Sequence, residues 1–256
     1  MFGNQFLNVR ILALTTILVI STTAQASGEA ARKLNVPISH PGKLELTYLE
    51  EIERQPPLSS PIRKVRAHTR DFYVFPGVVM PSIQSIYLLE HTEINAGDTV
   101  LDIGTGSGIQ AIFAAEKASK IVATDISATS AANAQYNINF HNMTDKVDVR
   151  VGDLLAPVNE NEMFDVVIFN IDYPFDKKTE WLWTLHERFF AGIGKHLKPG
   201  GRIFYQAGFI RNIPKIQQMV EDNNFQIMRM RMDYSAIHIR APIVFTITRP
   251  VNTPTR

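Results

Sequence analysis

Val100-Leu-Asp-Ile-Gly-Thr-Gly-Ser-Gly108 is the stretch on which the fold turns. It runs from an apolar strand into a glycine turn, and Ser107 to Lys117 then reads as a helix. Glycine reaches positive φ without steric cost and lets backbone approach a ligand closely. The helix start that follows offers unpaired N–H groups and the positive end of a dipole. A dinucleotide fingerprint requires Gly-x-Gly-x-x-Gly. The glycines here are Gly104, Gly106 and Gly108, and Ile109 stands where the third glycine of that fingerprint belongs, so the spacing argues against a nicotinamide dinucleotide. Asp102 at the strand end points the same way, because a carboxylate repels a pyrophosphate and suits a cationic or amino-bearing ligand.

Two neighbouring runs repeat the pattern. Lys120-Ile-Val-Ala-Thr-Asp125 reads as a second strand ending in an acid, and 125 − 104 = 21 residues separate that acid from the first glycine. About 20 residues are expected between a glycine turn and a ribose-binding carboxylate in a βαβ unit. Val147-Asp-Val-Arg-Val-Gly-Asp153 is a third strand-like run ending in an acid. Downstream, strands at 164–169, 201–206, 226–232 and 243–248 alternate with helices at 179–197 and 213–223, after helices at 82–90 and 127–141. Strands alternating with helices of this length make an α/β fold, a mainly parallel sheet covered on both faces. The last two strands have no helix between them and can pair as a hairpin.

Val100 to Gly108 resembles motif I of the class I methyltransferases that use S-adenosylmethionine, and the release-factor glutamine and small-domain members most. The likeness covers roughly residues 75 to 250, including Lys198-Pro-Gly-Gly201 before the fifth strand of the repeat. It implies a seven-stranded doubly wound, Rossmann-like sheet whose final strand is antiparallel, with S-adenosylmethionine as cofactor. It further implies that Asp102, Gly104, Thr105, Gly106 and Gly108 hold the cofactor's amino-acid end, with Asp125 and Ile126 at the ribose and Asp153 at the adenine amine. Val78-Val-Met-Pro-Ser-Ile-Gln-Ser85 is similar to the segment that covers the cofactor in the same group.

Chemistry falls on Phe164-Asp-Val-Val-Ile-Phe-Asn-Ile-Asp-Tyr-Pro-Phe175, a strand that breaks into a polar, aromatic loop. Amino-methylating members carry Asn/Asp-Pro-Pro-Tyr/Phe there. Such a loop accepts both N–H bonds of a planar amide or amine and holds its plane against a ring. Two registers fit this chain. One starts at Asn170 and places Ile171 and Asp172 where the prolines stand, followed by Tyr173; the other starts at Asp172 and reads Asp-Tyr-Pro-Phe to Phe175. Asn170 also lies within reach of a cofactor at the same strand ends. The resemblance implies a nitrogen of a protein as acceptor, with a nucleic-acid amine as alternative.

The chain has 256 residues, 45% of them hydrophobic, a formal net charge of +1 and no cysteine. This suits one domain with an extension, excludes disulfides and thiol chemistry, and gives no global attraction to nucleic acid or anionic membrane. Arg10 precedes the apolar run Ile11 to Ile20, and Ala24-Gln-Ala26 follows as a cleavage pattern. This reads as a signal peptide processed after Ala26, exporting the protein; an anchor through residues 11–20 or a cytoplasmic location are the alternatives. Residues 27–74 read as an N-terminal arm with a short helix near Leu44 to Arg54, residues 75–250 as the catalytic domain and 251–256 as a tail. The histidines show no metal spacing. Trp181 and Trp183 suit a substrate groove or helix packing, and Arg229 and Arg231 a solvated strand face. A rival from a different class is an exported binding protein that keeps the cofactor pocket without turnover. The sequence does not specify the oligomeric state.

Overall fold

The computed structural model describes residues 38–39, 46–52, 62–233 and 241–250. Strands β1 (Ile38–Ser39), β2 (Leu46–Ile52), β3 (Ile62–Ala67) and β4 (Arg70–Val74) precede helix α1 (Ile83–His91). Then follow β5 (Thr99–Ile103), α2 (Ile109–Ala114), β6 (Lys120–Asp125), α3 (Ala128–Phe140), β7 (Val147–Val151) and β8 (Phe164–Phe169). A 3-10 turn (Lys177–Leu182) runs into α4 (Trp183–Ile193), and β9 is Leu197–Ala207. A second 3-10 turn (Ile210–Asn212) runs into α5 (Ile213–Asp222), before β10 (Gln226–Met232) and β11 (Ile243–Thr248).

The main sheet has the order β1-β10-β11-β9-β8-β5-β6-β7. β5 to β11 supply the seven expected strands, and the two-residue β1 adds a parallel edge beside β10. β11 is antiparallel to both β9 and β10, while β9, β8, β5, β6 and β7 are parallel to one another in that order. Strand side chains alternate between faces, and the core divides accordingly. Leu101, Ile103, Val167 and Phe169 join Phe189, Ile193 and Ile216 of α4 and α5 on one face. Val100, Val166 and Ile168 join Ile86, Ile112 and Ile138 of α1, α2 and α3 on the other. Strand order reverses between β5 and its neighbour β8, and ligands of open α/β sheets bind in the crevice at such a point.

A second sheet, β2-β3-β4, is antiparallel. The helix expected near residues 44–54 is thus corrected to a strand: leucines and glutamates favour a helix locally, but pairing with β3 prevails. Two buried asparagines one turn apart on α3 bind β4 to the domain. Asn133 and Asn137 both donate to the Tyr73 carbonyl, and they accept from the backbone of Phe75 and Tyr73.

Two further expectations shift. The helix expected over 107–117 begins only at Ile109, since Gly108 is left-handed at φ +81°. The helix expected over 179–197 is a 3-10 turn followed by α4, and Lys198 to Gly201 lie inside β9. The signal segment, residues 1–26, lies outside the described residues. Among the described residues no helix is long and apolar enough to cross a membrane.

Candidate functional site

Gly104, Gly106 and Gly108 adopt φ of +73°, +56° and +81°. Three alternating left-handed residues fold the chain back over β5, a path that L side chains resist. Gly104 and Thr105 donate to the Thr124 carbonyl at 2.8 and 3.0 Å, which ties the loop to β6. Space reinforces the choice of residue at two positions: a Cβ on Gly104 would meet Ile171 Cγ1 at 2.8 Å, and one on Gly108 would meet Ala134 Cα at 3.2 Å.

Asp102 lies beneath this loop and is fully buried. The Thr105 hydroxyl donates to its Oδ2 at 2.7 Å, and the backbone N–H of Ala111 also favours the charged carboxylate. Burial pushes its pKa up to about 7, and the charge of Asp125 acts in the same direction against the Thr105 bond.

A cavity of about 370 Å³ opens at the carboxyl ends of β5 to β8. Gly104, Gly106, Asp125, Ile126, Asp153 and Asn170 line it. Asp102, Thr105 and Gly108 are not on its wall; they shape the loop from behind. Asp125 accepts from Gly106 N at 3.0 Å and from Ser127 N at 2.9 Å, one bond on each oxygen. A carboxylate offers about four acceptor sites, so capacity for further donors remains. Asp153 pairs with Arg188 of α4 at 2.6 Å, both side chains partly exposed at the rim. Ile126 exposes its side chain there as well.

The four candidate catalytic residues separate. Asn170 and Asp172 line the cavity, whereas Tyr173 and Phe175 do not. Asn170 Nδ2 donates to Ser85 Oγ at 3.3 Å, which leaves its Oδ1 outside that bond. Tyr173 is buried with its ring edge-on to Phe209, centroids 5.5 Å apart. Phe175 is exposed and faces a neighbouring groove with Trp183, Lys177, Arg211 and Lys215. Trp183 in turn packs on His186 and lies under Lys215, while Trp181 is exposed. Arg229 and Arg231 both reach Glu93 rather than solvent alone.

Val79 belongs to the segment read as covering the cofactor, whereas Gly77, Ser127 and Leu185 lie outside every quoted motif. Gly77 and Val79 enter from the segment before α1, and Leu185 from α4. Ser127 could have been found: it follows Asp125 by two residues and caps α3 by accepting from Ser130 N. Its position as an N-cap is the signal.

The methyltransferase small domain family matches residues 82–229. A ribosomal protein L11 methyltransferase of Lactobacillus johnsonii is 34% identical over 135 residues, 52% of this chain and 38% of that protein. A release factor glutamine methyltransferase of Clostridium acetobutylicum is 27% identical, covering 73% of this chain and 75% of its own length. The crystal structure of a ribosomal protein L11 methylase from Lactobacillus delbrueckii subsp. bulgaricus superposes with a TM-score of 0.56 at 27% identity, over 70% of this chain and 84% of that one. The chain thus spans little more than a third of the length of the L11 methyltransferase it matches.

Proposed function

The chain belongs to the methyltransferase small-domain family, and from that premise we propose that it transfers a methyl group from S-adenosylmethionine to an amide or amine nitrogen of a protein. The observation that carries the proposal is the cavity itself, where a left-handed glycine loop and the strand-end acids Asp125 and Asp153 face Asn170 and Asp172. The residues fit the cofactor. Gly106 would receive no contact closer than 4.0 Å on an added Cβ, so backbone there is open to a ligand. Asp125 would accept from ribose hydroxyls and Asp153 from the adenine amine. Ile126 would cover a ring face. When bound, the cofactor supplies a methyl group on a positively charged sulfur that an acceptor's electron pair can displace.

The protein's own contribution is alignment and desolvation. Ser85 orients the Asn170 amide so that its oxygen can accept an N–H from the substrate. Asp172, exposed on the same wall, can accept a second N–H or take up the proton released. Few other groups of the wall are needed for proton chemistry. A protein acceptor is supported by the protein substrates named for the two relatives, ribosomal protein L11 and a release factor, and by the near-neutral net charge. The groove of Phe175, Trp183, Lys177, Arg211 and Lys215 beside the loop favours the second reading, a nucleic-acid amine, although Asp176 and Glu180 share it.

Calorimetry of S-adenosylmethionine on the protein and on Asp125→Ala tests the site. Loss of charged hydrogen bonds of about 1.5–3 kcal/mol weakens binding by at least about tenfold. No binding to the folded wild-type protein overturns the reading. Radiolabelled methyl incorporation into protein and RNA pools then separates the acceptors, and binding without label in either pool supports the non-enzymatic rival. The proposal extends to location: residues 1–26 direct export and the mature chain begins at Ser27. Mass spectrometry of the native N-terminus checks this, with an intact membrane-bound chain indicating an anchor through residues 11–20 and an intact soluble one a cytoplasmic protein.

A further inference from the structure

Behind the acceptor-side loop lie two fully buried polar residues that form no part of the cavity wall, His186 of α4 and Tyr205 of β9. His186 Nε2 is 3.0 Å from the Asp172 backbone carbonyl, and His186 Nδ1 is 2.5 Å from the Tyr205 hydroxyl. The direction of both bonds follows from elementary chemistry. A backbone carbonyl only accepts, so Nε2 carries the proton. A neutral imidazole with its proton on Nε2 can only accept at Nδ1, so the Tyr205 hydroxyl donates. Burial pushes the His186 pKa down to about 4, which keeps the ring neutral.

The surroundings hold the pair still. Tyr205 stacks on Phe169, centroids 5.4 Å apart and planes 3° from parallel, and His186 packs edge-on to Phe169 and Trp183. Phe169 directly precedes Asn170, so the relay is anchored to the strand from which the loop departs. Two further carbonyls of the loop are pinned in the same manner: Asn212 Nδ2 donates to Pro174 O at 3.0 Å, and Arg211 donates to Phe175 O. With a single proline, Pro174, between Asn170 and Phe175, the path of this loop is set by side chains bonded to its backbone.

We propose that Tyr205 and His186 are positioning residues, a one-directional buried relay that fixes the Asp172 carbonyl away from the cavity so that the Asp172 side chain stays on its wall. The proposal rests on the reading of Asp172 as an acceptor-orienting group. His186 and Tyr205 touch neither substrate nor cofactor; they act through the Asp172 backbone.

The two ends of the relay can be separated by substitution. A glutamine at 186 reaches about as far as Nε2 and keeps a donor for the Asp172 carbonyl. An asparagine reaches only about as far as Nδ1 and keeps the Tyr205 bond alone. Hydrogen exchange of the 170–176 segment is expected to accelerate by about tenfold in His186→Asn, the equivalent of one net hydrogen bond, and to stay near wild type in His186→Gln. Equal exchange in the two variants overturns the proposal. In the wild-type protein, nitrogen-15 spectra of the imidazole are expected to show the Nε2–H tautomer at neutral pH. The Nδ1–H tautomer overturns the proposal without any variant having to fold.

Methyl label incorporated into the protein pool is expected to fall in His186→Asn and recover in His186→Gln, with S-adenosylmethionine affinity unchanged in both. Affinity lost in parallel with turnover shows a general structural role instead. Exchange and tautomer are read without cofactor. A wild-type protein that binds no S-adenosylmethionine therefore sinks the functional reading, while a wrong tautomer sinks the relay.

Discussion

Between Gly104 and Gly108 the cavity wall is shaped by backbone conformation, whereas between Asn170 and Phe175 it is shaped by side chains from 14 to 38 residues away. The first wall rests on residues that tolerate positive φ, plus three bonds from its own N–H groups to the next strand, two to the Thr124 carbonyl and one to the Asp125 carboxylate. The second has no positive φ between Asn170 and Phe175. Its carbonyls at Asp172, Pro174 and Phe175 accept from His186, Asn212 and Arg211. A conformational device is local and tolerates wide change elsewhere. A network of long-range bonds depends on the packing of α4, β9 and α5. The cofactor side is thus set by local conformation, and the acceptor side by groups far from it in sequence.

The largest effect expected on the cofactor side comes from Asp102, the one buried acid beneath the glycine loop. Its pKa is raised from 3.8 to about 7, so the native state binds this proton more tightly than the unfolded chain does. Its contribution to stability is therefore fully present below about pH 4 and is lost as pH rises to about 7. The span corresponds to an effect on the order of 4 kcal/mol. Asp102→Asn keeps the shape and removes the titration. Urea unfolding across that window is expected to show wild-type stability falling relative to the variant. Parallel curves would mean that the carboxylate is solvated, and that the loop stands on something other than a desolvated acid.

That contrast explains what was legible. The strands at 99–103, 147–151, 164–169, 226–232 and 243–248 fall where hydrophobic patterning puts them, and the three glycines announce their conformation. Asp125 and Asp153 were legible because strand ends converge on one crevice. β2 was not, because Leu46 to Ile52 becomes a strand only through its partner β3. Tyr173 and Phe175 were placed at the chemistry by motif, yet one is buried toward Phe209 and the other faces the outer groove. His186 read as a histidine without metal spacing. Nothing local marks it as the partner of a carbonyl 14 residues earlier.

A substitution on the acceptor side tests whether close packing matters as much there as the left-handed turn does opposite. A Cβ on Gly208 would lie 1.5 Å from the Tyr173 hydroxyl oxygen, so the ring must leave its place against Phe209. Gly208→Ala is expected to cost about 1–3 kcal/mol, as overpacking does. It should cut methyl transfer more than S-adenosylmethionine binding. Chemical denaturation with calorimetry on the same sample checks both. If cofactor affinity falls as far as turnover, the two walls are mechanically one and the comparison fails.

The smallest effect expected is at the rim, where the cofactor side does use a side-chain pair. Arg188 and Asp153 are 2.6 Å apart but 51% and 38% exposed, so solvent screens them and the pair contributes less than about 1 kcal/mol to stability. Arg188→Ala should therefore leave the unfolding midpoint almost unchanged. Binding is affected differently. Arg188 takes up acceptor capacity of Asp153, and it places a positive charge beside the cavity that Asp153 lines. The variant is expected to bind S-adenosylmethionine more tightly by about threefold at low salt, with the difference vanishing near 1 M, where the screening length is about 3 Å. Titration at two salt concentrations is sufficient to measure this. An affinity that instead drops by more than about tenfold, or a clear loss of stability, would make Arg188 a structural pin of the same kind as His186. Side-chain bonds would then hold both walls, and the division between a backbone-built and a side-chain-built half would reduce to a difference in burial.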